Sequence, residues 1–303
     1  MSGGDVALTP DVQQAGPRPP RGRRLVRRLV RNPLALTGFA VLTVALLGAL
    51  LAGLLAPYAP DETHFDAAFT PPGSAGYLLG TDDLGRDIFS RILFGLQSSL
   101  QASVLAVAVA LAAGVPFGLA AGYSPTLDAV ISRFTDLVLA FPFLILAVGL
   151  AAIRGPSLTN AAVSIGIAQI PGMVRVVRSE TLRLKSLDFV AAAVVSSASD
   201  AWVLVRHILP NATSAIIVQA TVAIPVAILG EAVLSFLGLG IRPPQPSLGT
   251  MLADAQQYAA RAPWTAIIPG VAIMVVALAF NLFGDGLRDA LDPQTSARRA
   301  NRR

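Results

Sequence analysis

Four charged side chains stand inside or at the margins of long apolar runs in this sequence: Asp128, Arg133, Asp136 and Glu231. A charge at the centre of a bilayer costs about 2.5–3.5 kcal/mol on insertion scales, so each needs a partner or a wet path. Asp128 is expected at the start of a helix, where the dipole favours a carboxylate. Arg133 and Asp136, three apart on one helical face, can neutralise each other, or form a gate or subunit contact alongside Phe141. Glu231, deep in its apolar run with Ser235 one turn on, is expected to line a pore or subunit interface, or to snorkel to the outer surface.

Other chemistries lack their side chains. There is no cysteine, and two histidines, His64 and His207, cannot build a histidine-rich metal centre, so no metal site is expected. Lysine occurs once, at Lys185, in a segment unlike a Walker A loop. The chain is therefore expected to bind no nucleotide or other cofactor of its own. Of 303 residues 54% are hydrophobic and 14% charged, against roughly 25% charged in soluble domains. Mean hydropathy is +0.64. A soluble enzyme is excluded.

The elements that position the charges follow from the uncharged runs: residues 32–60, 92–127, 137–153, 155–174, 208–230 and 262–284. About 20 apolar residues cross a ~30 Å hydrocarbon core. The second run is too long for one crossing, so Gly122-Tyr-Ser-Pro125 is expected to turn the chain into a third helix opening near Thr126. The fold class is thus all-α, with six transmembrane helices. Basic residues split 17 to 5 between the two sides, with Arg133 just inside span three, which predicts both termini in the cytoplasm. The net charge of +5 is then a topology signal rather than a nucleic-acid footprint. Four segments result: a disordered basic leader over 1–31; the first span and an external loop with an interfacial helix over 32–91; a five-helix core over 92–293 with a cytoplasmic loop at 175–211; and a basic tail over 294–303, suited to anionic lipid.

Two loops carry motifs. Outside, Thr81 or Asp82 can cap a helix whose Leu84, Ile88 and Ile92 share one face. It reads as an amphipathic surface helix, or as a docking surface presenting Asp82, Asp83, Arg86 and Asp87 to an external partner; an acidic calcium site would lack EF-hand spacing. Inside, Leu187–Ser196 and a second helix capped by Ser199 or Asp200 make a compact knob, with Pro210 expected to stop the second helix. Gly114, Gly118 and Gly122 recur every four residues, a close-packing face. Pro142, Pro171, Pro225 and Pro269 interrupt spans, as kinks or hinges.

Six blocks then occur in order: Leu78-Leu-Gly-Thr-Asp-Asp-Leu-Gly-Arg-Asp87, Asp136-Leu-Val-Leu-Ala-Phe-Pro142, His207-Ile-Leu-Pro-Asn211, Glu231-Ala-Val-Leu-Ser-Phe-Leu-Gly-Leu-Gly240, Pro246-Ser-Leu-Gly-Thr-Met-Leu252 and Phe280-Asn-Leu-Phe-Gly-Asp-Gly-Leu-Arg-Asp-Ala-Leu-Asp-Pro293. From about Arg31 to Pro293 the chain resembles the inner-membrane permeases of binding-protein-dependent ABC importers, in the C-type dipeptide/oligopeptide/nickel branch. The resemblance implies a half-pore in a bacterial cell membrane. It pairs with a second homologous permease, is driven by one or two ATP-binding subunits carrying ATP and Mg, and is fed by an extracytoplasmic substrate-binding protein. The chain itself would catalyse no reaction. Peptides are the implied cargo, with nickel chelates or another small solute as alternatives; an ion-coupled secondary transporter using Asp136 or Glu231 is a further reading.

The resemblance also maps the knob onto the family's ATPase-coupling loop: Leu187, Asp188, Ala191, Ala192, Ala193, Ser197, Asp200, Arg206 and Pro210. Ala191 stands where that pattern has Glu, and Ser197 where it has Gly. Glycine enters the left-handed conformation that ends a helix freely, and serine at a cost. Docking on shape and a small alanine face is expected to persist, with weaker or shifted coupling.

Overall fold

The computed structural model describes residues 29–30 and 32–291. The basic tail, and the basic leader apart from Leu29 and Val30, lie outside the described residues. The described chain is helical, its only bridges being isolated pairs in the loop before residue 88. Helix α1 covers Pro33–Leu50, α2 Ile88–Tyr123, α3 Pro125–Leu139, α4 Phe143–Arg154 and α5 Leu158–Lys185. Two short helices follow, α6 over Asp188–Val195 and α7 over Asp200–Val203. A π-helical turn, Leu204–Ile208, leads from α7 into α8, Leu209–Phe236. Helices α9, Leu248–Ala255, and α10, Trp264–Leu291, complete the chain.

Among the described residues, five stretches are long and apolar enough to cross a membrane, and α3 with α4 makes a sixth, bent by 90° at Ala140–Pro142. The expected turn after Tyr123 is present: Ser124 caps α3 and Pro125 occupies its first turn, where a missing N–H costs nothing. Span three, however, is not one helix. The 12 residues of α4 reach about 18 Å at 1.5 Å per residue, short of a ~30 Å core. Pro142 disfavours helical backbone at Phe141, and the chain breaks there rather than running through.

Two further expectations are corrected. No helix starts at Thr81 or Asp82. Asp82 Oδ1 accepts from Leu84 N and Arg86 N, folding a tight turn instead. Gly85 lies at φ +73°, pressed on the His64 carbonyl, where any side chain would collide. The helix begins at Ile88, capped by Asp87. Nor does Pro210 stop the second cytoplasmic helix. It sits in the first turn of α8, and the preceding π turn widens the spiral where the proline ring would strike the carbonyl a turn earlier. Asn211 Nδ2 donates to the His207 carbonyl at 2.6 Å.

Lipid tails supply no hydrophobic drive for helix association, so contact must come from close fit. The α2–α5 pair shows how. Cβ atoms built on Gly114, Gly118 and Gly122 would lie 2.6, 2.6 and 2.5 Å from the Cβ atoms of Met173, Val177 and Thr181. Both rows repeat every four residues, so knobs meet holes along the whole crossing. An alanine-rich cluster, including Ala102, Ala106, Ala161 and Ala227, joins α2, α4, α5 and α8. A second core built on Ile92, Leu96, Leu248, Met251 and Ile273 gathers α2, α9 and α10.

Candidate functional site

The segment after α5 folds into a knob at one end of the bundle. Leu187 precedes α6 and Asp188 occupies its first turn, suited to the positive helix end. The helix ends at Ser196, and Ser197 takes φ +60°. Ser197 N donates to the Val194 carbonyl at 3.0 Å and Ala198 N to the Ala193 carbonyl at 3.3 Å, closing the α6 end in a Schellman arrangement. A serine therefore holds the left-handed position that glycine fills most cheaply.

Val190, Val203 and Ile208 face inward onto Leu119, Val177 and Leu184. The opposite face is apolar and bare: Phe189, Val194, Trp202 and Val205 are exposed, and Val195 is 85% exposed. Phe189, Ala192, Ala193, Ser196, Trp202 and His207 line an open groove of about 600 Å³. The Trp202 and His207 rings meet edge-on at 4.7 Å. Ala191, Ala192, Ser197, Asp200, Arg206 and Pro210 are all exposed around this groove, with Ala193 half-buried.

The knob is tied to the spans through Tyr123, the last residue of α2. Its hydroxyl donates to Asp200 Oδ1 at 2.8 Å. Lys185 Nζ donates to its carbonyl at 2.6 Å and lies 4.8 Å over its ring. Direct contacts thus join α7 to the end of α2, and the end of α5 to the same tyrosine.

At the same end, Arg133 and Asp136 do not neutralise each other. Asp136 pairs with Arg175 of α5 at 3.0 Å, while Arg133 is exposed and outside any ion pair among the described residues. Asp128 accepts from Ser132 at 2.6 Å and from both Arg178 Nε and Nη2, the latter at 2.6 Å. The anchor for both acids is the neighbouring helix, because α3 lies along α5 with its acids at the level of those arginines. Phe141, at the break, is exposed.

Glu231 and Ser235, expected at a wall or outer surface, are sealed inside the chain at the opposite end. Glu231 is 0% exposed. Its Oε2 accepts from Ser99 Oγ at 2.7 Å and its Oε1 from Ser235 Oγ at 2.6 Å. Ser235 Oγ in turn accepts from Ile241 N at 3.1 Å. One carboxylate thereby pins α2, α8 and the loop leading to α9, replacing the water it lost.

The acids of the first loop also face the protein. Asp87 is 1% exposed and accepts from Ser90 N and Oγ. Asp82 meets Arg86 Nε at 2.6 Å and Arg91 Nη1 at 3.3 Å. Asp254 of α9 completes this network, 3.3 Å from Arg91 and 3.4 Å from Arg86. Of the four residues assigned to external docking, Asp82 and Asp87 are buried, and Asp83 and Arg86 are half-buried. Burial pushes the Asp83 carboxyl above its ordinary range, and the neighbouring Asp82 adds to this. Sequence reasoning passed over Tyr123, Arg91, Ser99 and Asp254, since each acts with a partner distant in the chain. No group of three or more His, Asp or Glu among the described residues is placed to hold a metal ion.

A helical bundle broken at its third span, with a bare apolar knob beneath it, describes a class of membrane permease. Residues 114–297 match the family of binding-protein-dependent transport system inner membrane components, and residues 21–72 match the N-terminal TM domain of oligopeptide transport permease C. The chain is 45% identical over 273 residues, 90% of each chain, to a dipeptide transport system permease protein of Alkalihalophilus pseudofirmus. It is 43% identical to a di/tripeptide permease of Pseudomonas aeruginosa, over 87% of this chain and 89% of that one. A glutathione transport system permease of Pectobacterium atrosepticum is 42% identical, over 95% and 96%. The methionine ABC transporter in inward-facing conformations shares the fold, with a TM-score of 0.56 at 17% identity, over 67% of this chain and 96% of that one. The chain belongs to the binding-protein-dependent transport system inner membrane component family: it is a multi-pass inner-membrane permease subunit of an ABC importer.

Proposed function

We propose that this chain forms one half of a peptide-conducting pore, beside a second homologous permease, and takes its cargo from an extracytoplasmic binding protein. Its relatives' peptide cargoes support the substrate class. The termini and the 175–211 end face the cytoplasm, as the excess of basic residues there favours. One or two ATP-binding subunits, with their own ATP and Mg, dock on the knob, while the chain hydrolyses nothing itself.

The observation that carries the coupling role is the bare face of α6 and α7, fastened through Tyr123 to the spans. An aliphatic or aromatic side chain of the ATPase fits the groove between Phe189 and Trp202, in place of the charge contact that a glutamate at Ala191 would offer. Asp136 and Glu231 serve structure, one paired to Arg175 and the other hydrogen-bonded and enclosed, so both carboxylates named by the ion-coupled reading are engaged.

The chain has no cysteine, so a single Val195→Cys variant reports its own neighbours without background. In the assembled importer it should cross-link to an ATP-binding subunit and change yield between nucleotide-free and nucleotide-bound states. Cross-links confined to other subunits would refute the coupling role. Rapid solute flux by the purified chain alone in vesicles would refute the whole reading.

A further inference from the structure

A polar groove lies at the end of the bundle opposite the knob. It encloses about 390 Å³, within the range of small-ligand sites. Gln97, Ser98 and Gln101 of α2 form one side, Gln245 and its flanking prolines another, and Asp61 the rim. Counting back from Tyr123 at 1.5 Å per residue puts Gln101 about 33 Å along α2, at the far edge of a ~30 Å core. The three glutamine amides have no hydrogen-bond partner among the described residues, and neither has the Asp61 carboxylate. Gln101 and Gln245 are exposed and Gln97 half-exposed. Around Glu231, at the same end, carboxylate and hydroxyls are matched donor to acceptor inside the chain, whereas these amides line an open groove with no partner among the described residues.

We propose that this groove is a subsite for the main chain of the incoming peptide. A primary amide presents one acceptor and two donors, the complement of a peptide unit whatever its side chains. Gln97, Gln101 and Gln245 hydrogen-bond successive backbone C=O and N–H groups, and Asp61 meets the N-terminal ammonium. Phe94 and the prolines around Gln245 give apolar walls that accept varied side chains. Sequence-independent recognition follows because every contact is to backbone. The inference rests on peptide cargo, and adds where and through which atoms the permease holds it.

The test uses the complete importer in proteoliposomes, with dialanine and saturating binding protein. The double variant Gln97→Leu, Gln101→Leu should lower uptake about tenfold, from two lost hydrogen bonds, while peptide-stimulated ATP hydrolysis continues. Gln101→Ala, which adds no bulk, should move uptake the same way by a smaller factor. Asp61→Asn should erase any preference for dialanine over N-acetyl-dialanine. A lone Gln245→Cys should be shielded from a water-soluble maleimide by peptide-loaded binding protein more than by the peptide-free form.

Unchanged uptake in the glutamine variants, or equal shielding by loaded and empty binding protein, would overturn the subsite. Loss of the second permease from the purified variant complex would also overturn it, making the groove a subunit seat. If the wild-type importer moves no dialanine, the cargo reading falls instead.

Discussion

Placing a methyl group on Gly118 tests whether the α2–α5 crossing is as tight as its geometry states. The added Cβ would lie 2.6 Å from Val177 Cβ, 2.9 Å from the Val174 carbonyl oxygen and 2.9 Å from Val177 Cγ1. Relief to an ordinary 3.4 Å contact requires the helices to part by about 0.8 Å. A gap of that size forfeits a quarter to a half of each dispersion contact it opens, and the Gly114 and Gly122 contacts open with it. Gly118→Ala should therefore cost roughly 1–3 kcal/mol, the usual range for overpacking. Thermal unfolding of the purified chain in detergent should show a midpoint lowered by several degrees, with membrane insertion unchanged. Val177→Gly, which removes the opposing knob, should destabilise alone by opening a cavity. Combined with Gly118→Ala it should recover much of the loss, because the methyl then enters the vacated space. A neutral Gly118→Ala, or a double variant whose loss equals the sum of the singles, would refute knob-into-hole packing at this site.

Ser197→Gly should stabilise the end of α6 by about 1 kcal/mol, since glycine holds a positive φ without strain; a lowered unfolding midpoint would count against the turn geometry. Tyr123→Phe removes the hydroxyl donated to Asp200 and should reduce stimulation of ATP hydrolysis by loaded binding protein, while leaving basal hydrolysis intact. Glu231→Ala strips the acceptor from Ser99 and Ser235 inside a closed site and should cost roughly 3 kcal/mol; Glu231→Gln, which keeps the shape and one acceptor oxygen, should cost much less. Asp83 gives a pH signature. With its carboxyl held above the ordinary 3.8 in the folded chain, its stabilising contribution is full below that value and is lost as pH rises through the folded value. Asp83→Asn should remove this component, so the stability difference between variant and wild type should grow in the variant's favour as pH rises from about 4. An unchanging difference would show that Asp83 titrates normally.

Sequence alone determined the membrane class, the turn between α2 and α3 and the four-residue glycine row, while the left-handed Ser197 followed from the family resemblance. Each of the first three depends on neighbours within a turn or two: an apolar run long enough to span, a Ser-Pro start, a period of four. The knob after Lys185 was legible for the same reason, as two short helical stretches joined by small residues. Tertiary structure decided the rest. Asp136 and Arg133 look like partners three residues apart, yet Asp136 reaches Arg175, because two crossing helices bring side chains together across 39 positions of chain. Glu231 reads as a wall residue from its depth in the apolar run; only the packing of α2 against α8 brings Ser99 to its carboxylate, and the loop beyond α8 adds Ile241 to the enclosed cluster. Asp82 and Asp87 read as part of an external docking surface until Arg91 and Ser90 fold against them. A charge's local spacing says that it needs a counterpart, but which one it finds depends on helix crossings set by glycine and alanine contacts far from the charge itself.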